Sequence, residues 1–367
     1  MRKKQIKKLS RCRTPYSVKF AHTGSTVLDQ ALGGGWALGR IINIVGDRST
    51  GKTLLAIELC AVAFLTGLFR KISGKTKVRI VYDLAEGSMD FDLRKMYNLA
   101  RSRIEWRYSD TVEEYDKNVS EELEKVDADT VLVYILDSLD SLTSDAEKKF
   151  DAKKHKRMDG DEEIGKNGKS KKGKGTYGVD KATLMNRFFR RNALTISRKE
   201  VLFIIISQTR VNIGVKFGPL KKRSCADALD FYEAQEVWLS ETQKIIKKVG
   251  KKTRVVGIRL RAMVRKLKVG LPYRTADLIL LFDFGLDNVG GNIDFLYDLV
   301  DGWGREKKVK RGESKKKLEW DGEMFSRERL IDFIEEGGLE KVLEREVVEE
   351  WARIEREVEH GRKRKYS

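Results

Sequence analysis

Residues 46–53 have the sequence Gly-Asp-Arg-Ser-Thr-Gly-Lys-Thr, and this stretch decides the fold. It matches the pattern G-x-x-x-x-G-K-[ST] of phosphate-binding loops. The apolar, β-branched run at 40–45 predicts a buried strand before the loop, and the apolar residues spread over 52–68 predict a helix after it. A strand, a glycine loop and a helix in this order direct backbone N–H groups at phosphate oxygens. The sequence therefore predicts a nucleoside triphosphate site.

The polar residues of this phosphate loop (residues 46–53) have separate predicted tasks. Lys52 is expected to reach the β- and γ-phosphates, and the Thr53 hydroxyl is expected to ligate Mg²⁺. Asp137 follows an apolar strand predicted at 131–136, so it has the position of a Walker B carboxylate that holds Mg²⁺ through water. Any buried strand can end in aspartate, so this assignment depends on the phosphate loop. The residues expected to line the nucleotide are Gly46, Asp47, Arg48, Ser49, Thr50, Gly51, Lys52 and Thr53.

The composition favours a polyanionic partner. Among 367 residues, 75 are Lys or Arg and 56 are Asp or Glu, which gives a net charge of +19. Such a charge fits nucleic acid or an anionic membrane surface. The basic start lacks the apolar run of a signal peptide, and the most apolar stretch, 54–69, is short for a membrane span and contains Glu58. Three cysteines without metal spacing indicate a reducing compartment, so we expect a soluble, cytoplasmic protein.

Strands alternate with helices along most of the chain, which predicts an α/β fold with a mainly parallel sheet covered on both faces. From residue 235 the pattern becomes β-rich, with a hairpin that turns near Gly250. Beyond the first strand, further strands are predicted at 78–84, 201–207, 236–239, 254–264 and 276–282, and helices at 179–198, 326–336 and 339–359. The predicted units are a basic arm at 1–22, an ATPase core at 23–287, a small C-terminal domain at 288–360 and a basic tail at 361–367.

Several motifs, taken in order, resemble the RecA family of ATP-dependent DNA strand-exchange recombinases, especially its bacterial and phage members. Besides the phosphate loop, they are residues 23–29 with the glycines at 33–35, Ala85-Glu86, Leu136-Asp137-Ser138, and residues 207–210, 213–218, 227–232, 266–268 and 272–273. The resemblance covers about residues 22–350. It implies a RecA-like P-loop NTPase core with a small C-terminal α/β domain, and ATP and Mg²⁺ as cofactors. It also implies a helical filament of the protein with itself on single-stranded DNA, and pairing with homologous double-stranded DNA.

The resemblance also implies roles for four catalytic residues besides Lys52. Glu86 matches the glutamate that orients and activates the attacking water. Gln208 matches the glutamine that senses the γ-phosphate. Lys266 and Lys268 match a lysine pair that reaches the ATP of the neighbouring subunit. The alternative interpretations are a turn cap for Glu86 and a solvated strand face for the two lysines.

Two further positions match residues that contact the adenine in this family, namely Asp90 and Phe282. An aromatic face against a base is physically sensible. Phe282 could equally be an ordinary core residue at the end of a strand.

Two irregular stretches, 151–178 and 209–226, match the first and second DNA-binding loops of the family. Basic side chains and backbone amides there would neutralise phosphates, and aromatic or apolar side chains would contact bases. A lysine run alone would indicate only a solvated segment. The expected DNA-binding residues are Lys166, Lys169, Lys171, Lys172, Lys174, Tyr177, Arg210, Asn212, Ile213, Gly214, Lys216 and Phe217.

The chain also departs from the family pattern. The first loop is longer and richer in lysine than usual, and the second loop carries Cys225-Ala226 where the family usually has two glycines. Two alternatives to a recombinase therefore stay open. One is a RecA-fold ATPase regulator or paralogue without strand exchange, and the other is a basic DNA-coating protein with a vestigial ATP site. The intact Lys52, Glu86 and Asp137 count against the vestigial site.

Overall fold

A central sheet organises the structure, a computed structural model that describes residues 18–89, 91–150, 177–211, 221–223, 225–308, 316–359 and 361–362. Its strands follow the order β12-β11-β10-β9-β3-β7-β6-β4-β5, and β8 pairs with β7. The strands of the chain are β1 Phe20–Ala21, β2 Trp36–Ala37, β3 Arg40–Gly46, β4 Lys77–Leu84, β5 Glu105–Arg107, β6 Thr130–Asp137, β7 Leu202–Val211, β8 Lys221–Arg223, β9 Gln235–Val249, β10 Lys252–Leu267, β11 Thr275–Leu281, β12 Gly285–Leu286, β13 Leu318–Trp320 and β14 Glu323–Phe325.

The parallel part of the sheet contains six adjacent strands, in the order β9, β3, β7, β6, β4 and β5. Strand β9 also begins an antiparallel meander that continues through β10 and β11 to β12, and β8 pairs antiparallel with β7. The α-helices with both ends inside the described residues are α1 Thr26–Ala31, α2 Lys52–Leu65, α3 Leu68–Ser73, α4 Leu93–Tyr97, α5 Val112–Lys125, α6 Tyr177–Arg198, α7 Ala226–Tyr232, α8 Asn288–Leu296, α9 Arg327–Glu336 and α10 Glu340–Glu357. Residues 145–150 are helical as well. The predicted α/β fold with a mainly parallel central sheet is confirmed.

Strand β6 shows why the sheet carries helices on both faces. All eight of its residues are buried. Because successive side chains of a strand point to opposite faces, Val131, Val133 and Ile135 join the apolar cluster that contains α2. Leu132 and Leu136 join the opposite cluster, which contains side chains of α5 and α6. A strand buried on both sides reads as a continuous apolar run, as the sequence of β6 does.

The C-terminal unit has a small apolar core of its own. Leu318, Leu330, Ile334 and Leu343 are buried together where α9 and α10 pack on the hairpin of β13 and β14. Helix α10 also packs toward the main body, since Val347 belongs to the main apolar cluster on the α2 side of the sheet. None of the helices in the described ranges combines the length and apolar character that crossing a membrane requires.

Several predicted boundaries were wrong. Strand β7 runs to Val211 and β8 begins at Lys221, so residues 209–211 and 221–223 of the expected second loop are strand. Helix α6 begins at Tyr177, within the expected first loop. The sequence interpretation also missed α5, and the hairpin of β9 and β10 is far longer than predicted, although it turns at Gly250 as expected. The outer part of the hairpin was missed because it is mostly solvent-exposed and lacks the apolar alternation of a core strand.

Candidate nucleotide site

The phosphate loop joins β3 to α2, as the sequence predicts. Gly51 precedes α2 with a φ of 76°, a left-handed conformation that favours glycine. A Cβ at Gly51 would lie 2.8 Å from the Leu280 side chain, and one at Gly46 would lie 2.5 Å from Thr50 Oγ1. Neither position therefore has room for a Cβ, and the backbone conformation of Gly51 also favours glycine.

The parallel strands bring the other site residues to the same edge. Gly46 at the end of β3 is paired with Gln208 on β7, and Leu84 at the end of β4 is paired with Asp137 on β6. Glu86 follows β4, and its backbone N–H donates to the Asp137 carbonyl at 3.2 Å. Ligand sites of open α/β sheets lie at the carboxyl ends of the strands, as these residues do.

Lys52 is nearly buried, and its ammonium group donates to the backbone carbonyl of Asp47. Burial lowers the pKa of Lys52, against the opposing influence of Asp137 and Glu86. A cation with three N–H donors, held inside the loop, can turn toward phosphate oxygens while staying within the same cradle. The structure thus places Lys52 as the phosphate-loop lysine.

Thr53 and Asp137 form the part of the site that fits Mg²⁺. The Thr53 hydroxyl donates to Asp137 Oδ2 at 2.8 Å, and the Tyr82 hydroxyl donates to the same oxygen at 2.7 Å. Burial raises the pKa of Asp137, although these two hydrogen bonds oppose the shift. A carboxylate and a hydroxyl side by side offer the hard oxygen ligands that Mg²⁺ prefers.

Glu86 and Gln208 are in direct contact. Gln208 Nε2 donates to Glu86 Oε1 at 2.6 Å, and the Ser138 hydroxyl donates to the same oxygen at 2.7 Å. The Gln208 backbone N–H donates to Asp140 Oδ2 at 2.6 Å. The sequence interpretation gave no role to Ser138 or Asp140, although both come directly after the strand that ends in Asp137. The Glu86 carboxylate therefore accepts from two neutral donors. One of them, Gln208, lies on β7, the strand that leads into the second loop.

A cleft of about 330 Å³ continues from the phosphate loop to two aromatic side chains, Phe91 and Phe282. Phe91 is 39% exposed and Phe282 is 48% exposed, so neither is a core residue. Phe282 therefore lines the cleft together with Phe91, and its contact with adenine stays a prediction. Asp90 lies outside the described residues. Its neighbour Phe91 was missed, and the only available signal was its place next to Asp90.

Lys266 and Lys268 contact the end of helix α7. Lys266 donates to the Asp230 carbonyl, and Lys268 Nζ donates to the Phe231 carbonyl at 2.9 Å. Cations stabilise the negative end of a helix dipole, which explains this arrangement within one chain. Their role toward a neighbouring subunit stays a prediction.

Most of the expected DNA-binding residues cannot be placed. Lys166, Lys169, Lys171, Lys172, Lys174, Asn212, Ile213, Gly214, Lys216 and Phe217 lie outside the described residues. Tyr177 is the first residue of α6. Arg210, on β7, is exposed and lies 3.4 Å from Asp140 Oδ1.

The return of the second loop into the core is fixed by a buried ion cluster that sequence reasoning missed. Arg223, on β8, donates to both oxygens of Glu233 at 2.6 and 2.9 Å, and also to Asp230. Glu236 lies 3.4 Å away, so three carboxylates surround one guanidinium group. Burial raises the pKa of Glu233 to about 7, although Arg223 opposes the shift. Cys225 then adopts a φ of 50°, the left-handed conformation expected of the glycine it replaces.

Comparison with known proteins relates this chain to one family. The family model described as RecA N-terminal domain matches residues 1–287. Protein RecA of Borreliella burgdorferi is 28% identical over 279 residues, which cover 76% of this chain and 67% of the relative. Protein RecA of Synechocystis sp. is 29% identical over 286 residues, which cover 77% of this chain and 69% of the relative. The chain therefore belongs to the RecA family.

Proposed function

We propose that this chain is an ATP-dependent homologous recombinase, which forms filaments on single-stranded DNA, pairs it with homologous duplex and exchanges strands. The observation that carries the proposal is the contact between Glu86 and Gln208. It joins the residue positioned to activate water to the C-terminal part of β7, the strand that leads into the second loop. A change at the nucleotide thus reaches the DNA-binding loop through the direct contact of two side chains.

The residues of this chain divide the work of hydrolysis. Backbone N–H groups of the phosphate loop and the Lys52 ammonium bind the β- and γ-phosphates. Thr53 and Asp137 would hold Mg²⁺, which would supply further compensation for phosphate charge when bound. Glu86 orients the attacking water and accepts its proton, a role that its position beside Asp137 at the carboxyl edge of the sheet supports.

Gln208 makes the position of the second loop depend on whether a γ-phosphate is present. In the structure its amide donates to Glu86, so it can be redirected when a γ-phosphate offers stronger acceptors. Redirecting the side chain changes the position of β7, from which the loop departs. Phosphate release reverses the change. Lys266 and Lys268 of an adjacent protomer would add positive charge at the γ-phosphate, which makes the filament the active unit.

The test is strand exchange between circular single-stranded DNA and homologous linear duplex. We expect joint molecules and nicked circles with ATP, and neither product with the Lys52→Ala variant. DNA-dependent ATP hydrolysis without products would identify a RecA-fold ATPase that lacks exchange activity, an alternative favoured by Cys225-Ala226. DNA binding with no hydrolysis would identify a coating protein. Either result would overturn the proposal.

A further inference from the structure

The carboxylate of Asp47, in the phosphate loop, contacts both ends of the second loop. The Thr209 hydroxyl donates to one carboxylate oxygen, and the Lys221 ammonium donates to the other. Thr209 lies where the chain leaves on β7, and Lys221 lies where it returns on β8. Strand β8 pairs antiparallel with β7, with Lys221 opposite Val211. One side chain of the nucleotide site therefore touches the departing and the returning strand.

The contact pairs the positive charge of Lys221 with the negative charge of Asp47 beside the nucleotide site. Lys221 compensates Asp47, and both side chains are about half exposed, at 51% and 49%. The Asp47 backbone carbonyl accepts from Lys52 in the same loop, so the carboxylate lies next to the place where triphosphate binds. Without Lys221, a negative carboxylate would face an incoming polyanion. With Lys221 in place, that repulsion is largely cancelled.

We propose that Asp47 and Lys221 form an ionic link that couples occupancy of the nucleotide site to the position of β8 at the base of the second loop. Nucleotide binding and the docked position of β8 then favour each other. Both residues act as positioning residues, distinct from Gln208, whose contact runs through Glu86. The part of this inference that concerns DNA rests on the proposed function.

The first experiment measures nucleotide affinity without DNA. A fluorescent ATP analogue with Mg²⁺ is titrated into the parent, Asp47→Asn, Lys221→Gln and the double variant. Lys221→Gln should bind about two- to fivefold more weakly, the range expected when one partner of an exposed ion pair is removed. Asp47→Asn should bind at least as tightly as the parent. The double variant should recover the affinity of Asp47→Asn, because no uncompensated charge remains.

The matched control is the exposed pair Lys77 and Asp127, whose charged atoms lie 3.6 Å apart at the opposite end of the sheet. Lys77→Gln, Asp127→Asn and their double variant should leave nucleotide affinity unchanged. Thermal melting of every variant checks the fold. An unchanged affinity in Lys221→Gln would overturn the ionic link, and so would a double variant as weak as Lys221→Gln.

The second experiment measures the affinity for single-stranded DNA with and without a non-hydrolysable ATP analogue. The ratio of the two affinities should fall at least about twofold in Asp47→Asn and in Lys221→Gln, and stay at the parent value in Lys77→Gln. If the parent shows the ratio and the two variants preserve it, the link is wrong and the proposed function stands. If the parent itself does not bind DNA, the proposed function fails, together with the DNA part of this inference. The nucleotide titrations of the first experiment still test the ionic link between Asp47 and Lys221.

Discussion

Removing the Phe282 ring should weaken nucleotide binding, because the base would then lose one of the two exposed aromatic surfaces of the cleft. The ring is 48% exposed beside the phosphate loop. With a phenylalanine surface on the order of 200 Å², roughly 100 Å² is available to a base. At about 25 cal/mol per Å², covering half of that area contributes ~1.2 kcal/mol and covering all of it ~2.5 kcal/mol. Phe282→Ala should therefore raise the Kd for ATP about 8-fold to 70-fold.

The assay is competition against a fluorescent nucleotide, with both ATP and inorganic tripolyphosphate as competitors. Phe282→Ala should weaken ATP and leave tripolyphosphate unchanged, whereas Lys52→Ala should weaken both. Phe284→Ala is the matched control, because Phe284 is 53% exposed on the same turn but does not line the cleft. An ATP affinity within twofold of the parent in Phe282→Ala, or an equal weakening of tripolyphosphate, would refute the base contact.

Three further predictions concern the filament, the first loop and the ion cluster. The double change Lys266→Ala and Lys268→Ala should keep nucleotide binding but lose DNA-stimulated hydrolysis, and mixing it with Lys52→Ala should restore part of the activity. Full activity of the double variant alone would rule out the role in trans. Replacing the five lysines between residues 166 and 174 with glutamine should flatten the salt dependence of single-strand binding. The slope of log K against log salt should change by about 0.7 for each phosphate that is no longer neutralised. An unchanged slope would mean that the first loop is a solvated insertion. Because the pKa of Glu233 rises from 4.5 to about 7, the folded protein retains a proton that the unfolded chain releases, so stability should fall as pH rises across that interval, by up to about 1.4 kcal/mol per pH unit. Glu233→Gln should remove this part of the slope in urea unfolding, and an unaltered slope would show that Glu233 does not titrate there.

The core of the fold was predictable because local and global signals agree in it. Residues 131–136 of strand β6 form a continuous apolar run, and the sheet buries them on both faces, so the sequence alone identifies the strand. The phosphate loop is equally clear, since Gly46 and Gly51 both have close neighbours and Gly51 also has a left-handed backbone. Residues that follow parallel strands meet at one edge, which explains why Glu86 and Asp137, predicted separately, lie together in the structure.

Helix α5 carried signals that its high charge concealed. Thr111 caps its start by accepting from the Glu114 backbone N–H, and Glu114 accepts in return from the Asp110 backbone N–H. The side chains that face the core, among them Tyr115 and Val119, recur at helical spacing. A search for the cap together with this spacing would have found the helix.

Other parts of the site could not be derived from the sequence. The Arg223–Glu233 pair joins β8 to the residue that follows α7, and the Asp47–Lys221 pair spans 174 positions of the chain. A chain with 75 Lys or Arg residues and 56 Asp or Glu residues offers many possible partners for each charge. Only the course of β7 and β8 in three dimensions selects these pairs.

The most direct test of the central claim is ATP hydrolysis by the parent and by Glu86→Gln, each with and without single-stranded DNA. The parent rate should rise when DNA is added. Glu86→Gln should bind ATP as the parent does and hydrolyse it at least about a hundredfold more slowly, because only the activation of water is removed. Hydrolysis by Glu86→Gln at the parent rate, or a parent rate that ignores DNA, would contradict a site in which Glu86 and Gln208 join the nucleotide to the DNA-binding loop.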